Sequence, residues 1–174
     1  MTAILAFDLA ENVGFAFWRP GANRVYSGSF RLPETGSDVG WYLTVFEKKA
    51  KELLTFHTPD LCVFEAPWVG PKTHQDTARK LLCLAGFTEF LCRKAGADYR
   101  EAHNQSVKKH FLGRGNLPSK QAKRLCVEKC RELGWSPSNH DEADALAVLS
   151  YAFHLRKIEV PWSVGGLFQA EAAQ

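Results

Sequence analysis

Two apolar runs in this chain each stop on a carboxylate. Ala3–Phe7 ends at Asp8, and Leu61–Phe64 ends at Glu65. Short runs of this kind read as buried strands, and buried strands belong in a sheet flanked by helices. Between them, Gly14–Trp18 reads as a second strand and Val25–Leu32 as a third, more polar one nearer a sheet edge. Arg19-Pro20-Gly21-Ala22-Asn23 supplies the turn that joins those two. The first third of the chain is thus a three-strand meander.

The period then changes. Val39, Tyr42, Leu43, Phe46, Ala50, Leu53 and Leu54 recur at three- and four-residue spacing, which predicts an amphipathic helix ending before Pro59. A second long helix is expected over Thr73–Ala95, with Gly96 as its C′ residue, and a fifth strand over Ala97–Ala102. A short helix from about Asn104, a loop Gly113–Pro118, a basic helix Ser119–Leu133 and a last helix capped by Asn139 complete the order. A meander followed by helix–strand–helix–strand–helix predicts a five-stranded mixed α/β sheet, three strands in the meander and then two parallel ones. The right-handed crossover returns Leu61–Glu65 to the side of the first strand. At 174 residues the chain is expected to be one domain, residues 1–157, followed by a C-terminal tail, residues 158–174.

Hydrophobic residues at 45% and charged residues at 24% fit a globular chain and exclude a disordered one. No apolar run approaches the roughly 20 residues of a membrane helix. No basic residue precedes the N-terminal apolar stretch, so a signal peptide is not expected and a cytoplasmic location is. The five cysteines are odd in number and scattered through apolar segments, which reads as buried thiols in a reducing compartment. Cys126 and Cys130 stand one helical turn apart, but no second ligand pair has zinc-site spacing, so they too read as structural. The net charge of +3 conceals a local excess: between Asn104 and Trp135, Lys108, Lys109, Arg114, Lys120, Lys123, Arg124, Lys129 and Arg131 face only Glu128 and Glu132. Such a segment suits a polyanion.

Two further acids, Asp141 and Asp144, open the last helix three residues apart and so share a face. If that helix packs across the end of the sheet, it completes a cluster of four with Asp8 and Glu65. Uncompensated acids at the ends of core strands are costly. Hard divalent cations relieve that cost, and two such ions about 3.5–4 Å apart clamp both oxygens of an in-line phosphoryl displacement. An acidic cation site beside a basic segment points to nucleic-acid cleavage.

The order Phe7-Asp8, Phe64-Glu65 and Asp141-Glu142-Ala143-Asp144-Ala145-Leu146-Ala147 resembles the RuvC family of Holliday junction resolvases, within the RNase H-like superfamily. The resemblance covers about residues 1–157, and its last motif is the most specific. It implies an RNase H-like sheet, a homodimer, and Mg²⁺-dependent symmetric nicking of branched, four-way DNA, with Mn²⁺ able to substitute. Carried over, Asp8, Glu65, Asp141 and Asp144 are the metal-binding and catalytic acids. The likeness also puts Lys120 near the site as a charge-stabilising catalytic residue, and Lys108 on the DNA backbone. Trp68, in the loop Ala66–Lys72, takes the place of a phenylalanine that stacks on a base near the junction centre. Lys72, Lys109, Arg114 and Lys123 are further expected DNA contacts, and His140 is a secondary candidate for metal binding or proton transfer. The long helix Thr73–Ala95 is the expected dimer interface, through Leu81, Leu84, Phe87, Leu91 and Cys92. Two features depart from the family pattern: Leu9-Ala10 follows the first Asp in place of Pro-Gly, and Gly113–Lys120 is about one residue longer. They imply a divergent branch of phage or prophage type.

Rival readings keep parts of this pattern. An RNase H-like nuclease acting on flaps or RNA–DNA hybrid uses the same acids. A non-catalytic DNA-bridging protein has no use for all four. An actin-like or sugar-kinase ATPase shares the meander and first Asp, but needs a second Gly-rich phosphate loop and more than 174 residues.

Overall fold

A computed structural model of the chain describes residues 2–159; residues 160–174 of the expected tail lie outside the described residues. Five strands, β1 (Ile4–Asp8), β2 (Asn12–Trp18), β3 (Tyr26–Arg31), β4 (Leu61–Glu65) and β5 (Asp98–Ala102), form one sheet in the order β3-β2-β1-β4-β5. β1–β2 and β2–β3 pair antiparallel, whereas β1–β4 and β4–β5 pair parallel. This is the mixed sheet the sequence predicts, with β4 returned to β1. The helices are α1 (Val39–His57), α2 (Gln75–Ala95), α3 (Asn104–Leu112), α4 (Ser119–Glu132) and α5 (His140–Arg156).

The sheet separates two apolar layers. Leu5, Phe7, Val13, Phe17, Cys62 and Phe64 pack with residues of α1 and α2 on one face. Ile4, Ala6, Ala16, Trp18, Leu61 and Val63 pack with α3, α4 and α5 on the other. α5 is apolar around most of its circumference because it is enclosed by the sheet, α3 and α4.

Element ends move where loop chemistry intervenes. α2 starts at Gln75, not Thr73: the Gly70 N–H donates to Thr73 Oγ1 at 3.0 Å, and the His74 ring accepts from the Asp76 N–H. α2 also requires a correction. Leu84, Leu91 and Cys92 are buried against the sheet, so they are not available to a second chain; Leu82 and Phe90, 57% and 52% exposed, are its outward apolar residues. Among the described residues no helix is long and apolar enough to cross a membrane.

Candidate active site

Side chains alternate between faces along a strand. Ile4 and Ala6 lie on the α5 side of β1, so Asp8 does too; Leu61 and Val63 lie on that side of β4, so Glu65 follows. Phe7 pairs with Phe64 in parallel register, and one residue later Asp8 and Glu65 emerge side by side. Residue 14 is opposite Asp8 on β2 and faces the same way. It is glycine for a local reason: a Cβ there would overlap the Asp141 carbonyl and stand 3.1 Å from Ala145 Cβ. The missing side chain lets the first turn of α5 lie directly against the sheet beside Asp8.

That turn is pinned at both ends of its cap. Asn139 Oδ1 accepts from the Glu142 N–H at 2.9 Å while its Nδ2 donates to Ser29 Oγ at 2.7 Å. The buried Glu142 carboxylate accepts from Ser27 Oγ at 2.6 Å and from the Ser138 N–H at 2.8 Å. The edge strand β3 thus sets where Asp141 and Asp144 stand. The sequence identifies Asn139 as the cap of this helix, as observed, but sequence reasoning missed Gly14, Ser27, Ser29 and Glu142 as positioning residues, although Asn139-x-x-Glu142 has capping-box spacing and Gly14 interrupts an apolar strand.

The four acids are each half-buried, and they act on one another. Burial is the main influence on Asp8 and holds its carboxyl well above the usual carboxylate range, with Glu65, Asp144 and Asp141 pushing the same way and Lys123 opposing. Glu65 is pushed up to about 7, first by burial and then by Asp144, against Lys108 and a hydrogen bond from Asn104 Nδ2. Asp144 is raised by burial first and also by Asp141, against the Cys126 thiol, Lys123 and Lys108. Lys123 lies one turn before Cys126 on α4, on the same side of the helix. The cations whose charge acts on Asp8, Glu65 and Asp144 are therefore Lys108 and Lys123, whereas Lys120 is exposed on the first turn of α4.

The basic segment divides in a way composition does not reveal. Arg124 pairs with Glu128 and Lys129 with Glu132 along α4. Lys108, Lys109, Arg114, Lys120 and Lys123 make no salt bridge among the described residues, nor does Lys72 in the β4–α2 loop. Trp68 projects from that loop, 73% exposed, with its ring lying over Gly70. His140 is exposed at the start of α5. His110, for which the sequence identifies no partner, contacts Ser150 Oγ at 3.2 Å and stacks on His154. Cys126 and Cys130 are buried free thiols, and Cys130 donates to the Ala143 carbonyl at 3.8 Å.

The donor chemistry fits a hard cation. Four carboxylates offer oxygen ligands only, and the mutual repulsion that, after burial, raises the pKa of Asp8, Glu65 and Asp144 is what a divalent charge offsets. Among the described residues no three His, Cys, Asp or Glu side chains stand close enough to form a ligand cage; the acids are coupled electrostatically across the space they face.

Among solved structures, Thermus thermophilus RuvC is similar over 89% of this chain and 96% of its own, at 18% identity and a TM-score of 0.68. The fold is that of RuvC. T. thermophilus RuvC in complex with a Holliday junction substrate matches at 18% identity over 90% of this chain and 96% of its own, with a TM-score of 0.69. Ydc2, the yeast mitochondrial Holliday junction resolvase, matches at 13% identity over 84% of this chain and 75% of its own, with a TM-score of 0.55. No family model and no curated protein matches the sequence. The RuvC-type, RNase H-like architecture expected from the acidic motifs is therefore present at an identity where sequence comparison alone is silent.

Proposed function

We propose that the chain is a divalent-cation-dependent endonuclease that resolves four-way DNA junctions by paired, symmetric nicks. The observation that carries this reading is the convergence of Asp8, Glu65, Asp141 and Asp144 on one face of a RuvC-type sheet, beside cations that make no salt bridge among the described residues. Those four acids would hold Mg²⁺, or Mn²⁺ in its place, which supplies Lewis acidity at the scissile phosphate and lowers the pKa of the attacking water. Lys108 and Lys123 balance negative charge at the acids, and their ammonium groups meet the charge that builds on the phosphate during displacement. Lys72, Lys109, Arg114 and Lys120 contact backbone phosphates, which positions DNA without reading its sequence. Products carry a 5′-phosphate and a 3′-hydroxyl. A junction has near two-fold symmetry, so one acidic cluster per chain calls for a homodimer. Leu82 and Phe90 on α2 are the apolar residues free to form it. Residues 1–157 form the nuclease domain in this reading.

Matched junction, flap, duplex and RNA–DNA hybrid substrates, each with and without Mg²⁺, test it. Paired nicks on junctions alone support resolution; a preference for hybrid or flaps reassigns the substrate; no cleavage under any condition leaves a DNA-bridging protein.

Two variant sets separate the roles. Lys123→Ala will lower the single-turnover cleavage rate at least about 10-fold at saturating protein, because it removes charge at the acids. Lys120→Ala will instead weaken junction binding and flatten its salt dependence by about one unit of slope. The reverse pattern returns the catalytic role to Lys120. Trp68→Ala will weaken junction binding by about 10-fold, since base stacking is worth about 1–3 kcal/mol, and leave duplex binding unchanged. Equal losses on both substrates give Trp68 a structural role.

A further inference from the structure

Asparagine is favoured at helix N-termini because its side chain satisfies free backbone N–H groups of the first turn. In α3 it does something else. The N-cap is His103, which makes no side-chain cap bond, and its carbonyl takes the Ser106 and Val107 N–H groups at 2.9 and 3.1 Å. Asn104, the first helical residue, turns its amide away from the helix, and Nδ2 donates to Glu65 Oε2 at 2.6 Å. The topology makes this contact local. Glu65 pairs with Ala102, the last residue of β5, and the Ala66 N–H donates to the Ala102 carbonyl at 2.8 Å, so the chain enters α3 directly beside Glu65. Among the described residues Oε2 has this one side-chain donor, and Oε1 has none.

We infer that Asn104 is a positioning residue, whose amide fixes the rotamer in which Glu65 offers its carboxylate to a divalent cation. The inference rests on the functional reading above and goes beyond it, because no acid or lysine of the motif includes Asn104. A short N–H···O⁻ bond to an ionised carboxylate is directional, and it ties one oxygen while leaving the other available. Outer partners of this type typically change metal affinity 10- to 100-fold when removed. The same helix carries the half-buried Lys108 one turn later, so α3 brings both a donor and a charge to Glu65.

Asn104→Leu keeps the volume and removes the donor; Asn104→His restores an N–H at similar reach. Two titrations with Mg²⁺ are read side by side: junction cleavage, and the rise in melting temperature of the DNA-free full chain. For Asn104→Leu both midpoints should move to about 10-fold higher Mg²⁺, with the saturated cleavage rate within about threefold of wild type and metal-free junction affinity unchanged. Asn104→His should return both midpoints toward wild type. Unmoved midpoints, or a cleavage rate that stays low at every Mg²⁺ concentration, overturn the positioning role. A wild-type chain that shows the Mg²⁺-dependent melting shift but cuts no junction removes the functional reading and leaves the Asn104 result to stand on the thermal titration.

Discussion

Neither the Asp8→Asn nor the Glu65→Gln protein will cut a four-way junction, yet both will be more stable than the wild-type chain once divalent cations are chelated. The two halves have one cause. Cleavage falls by at least about 10³-fold because an oxygen ligand and its charge leave the acidic cluster. Stability rises because the same charge is half-buried among three others in the folded chain and solvated in the unfolded one. For Glu65 the sign follows from linkage. The folded pKa of about 7 lies above the ordinary 4.5, so the folded state binds the proton more tightly. This contribution is fully present below pH 4.5 and is lost as pH rises through 7, a change of about 3 kcal/mol for that one group. Urea denaturation of the metal-free chain between pH 5 and 8 should therefore show stability falling with pH more steeply in wild type than in Glu65→Gln. Saturating Mg²⁺ should remove most of the difference at pH 8. A Glu65→Gln protein no more stable than wild type at pH 8 in chelator contradicts the electrostatic account, and wild-type cleavage by either variant takes that residue out of the site.

The elements that were legible from the sequence are those whose signal is local. A strand that stops on a carboxylate, a helix with apolar residues at three- and four-residue spacing, and a glycine at a helix end each announce themselves within one window. The acids could be grouped because a parallel β4 must return beside β1, and period-two alternation then turns Asp8 and Glu65 to one face. What could not be read were contacts between residues far apart in the chain. Ser27 on β3 holds Glu142 on α5, and Asn104 holds Glu65, and neither pairing leaves a mark in spacing. The basic segment shows the same limit. Lys120 and Lys123 are alike by composition, and only the seating of α4 against α5 turns Lys123 toward Asp8 and Asp144. In α2, apolar periodicity identified the helix but not which of its leucines the sheet already uses.

Gly14→Ala will disable the site without touching an acid. β2 is an ordinary strand at this point, so alanine suits its backbone and by propensity alone would stabilise it by about 0.5–1 kcal/mol. The opposing effect is larger. The new Cβ overlaps the Asp141 carbonyl carbon and oxygen, and these are backbone atoms of a helix fixed to β3 through Asn139 and Glu142. No side chain can rotate out of the way, so the first turn of α5 must lift from the sheet and take Asp141 and Asp144 with it. Overpacking of this kind costs about 1–3 kcal/mol, which leaves the chain folded with its carboxylates separated. The expected result is a cleavage rate at least about 10²-fold lower, with a modest fall in melting temperature and a weaker response of that temperature to Mg²⁺. Two companions isolate the cause. Gly28→Ala, on the same sheet, meets only the outer atoms of the Phe15 ring, which can shift, and should cost far less activity. Adding Ala145→Gly to Gly14→Ala removes the 3.1 Å contact with Ala145 Cβ but leaves the Asp141 carbonyl in place, and should not restore cleavage. Full rescue by that second change would mean that side-chain crowding, and not the seating of the α5 backbone on β2, is what residue 14 controls.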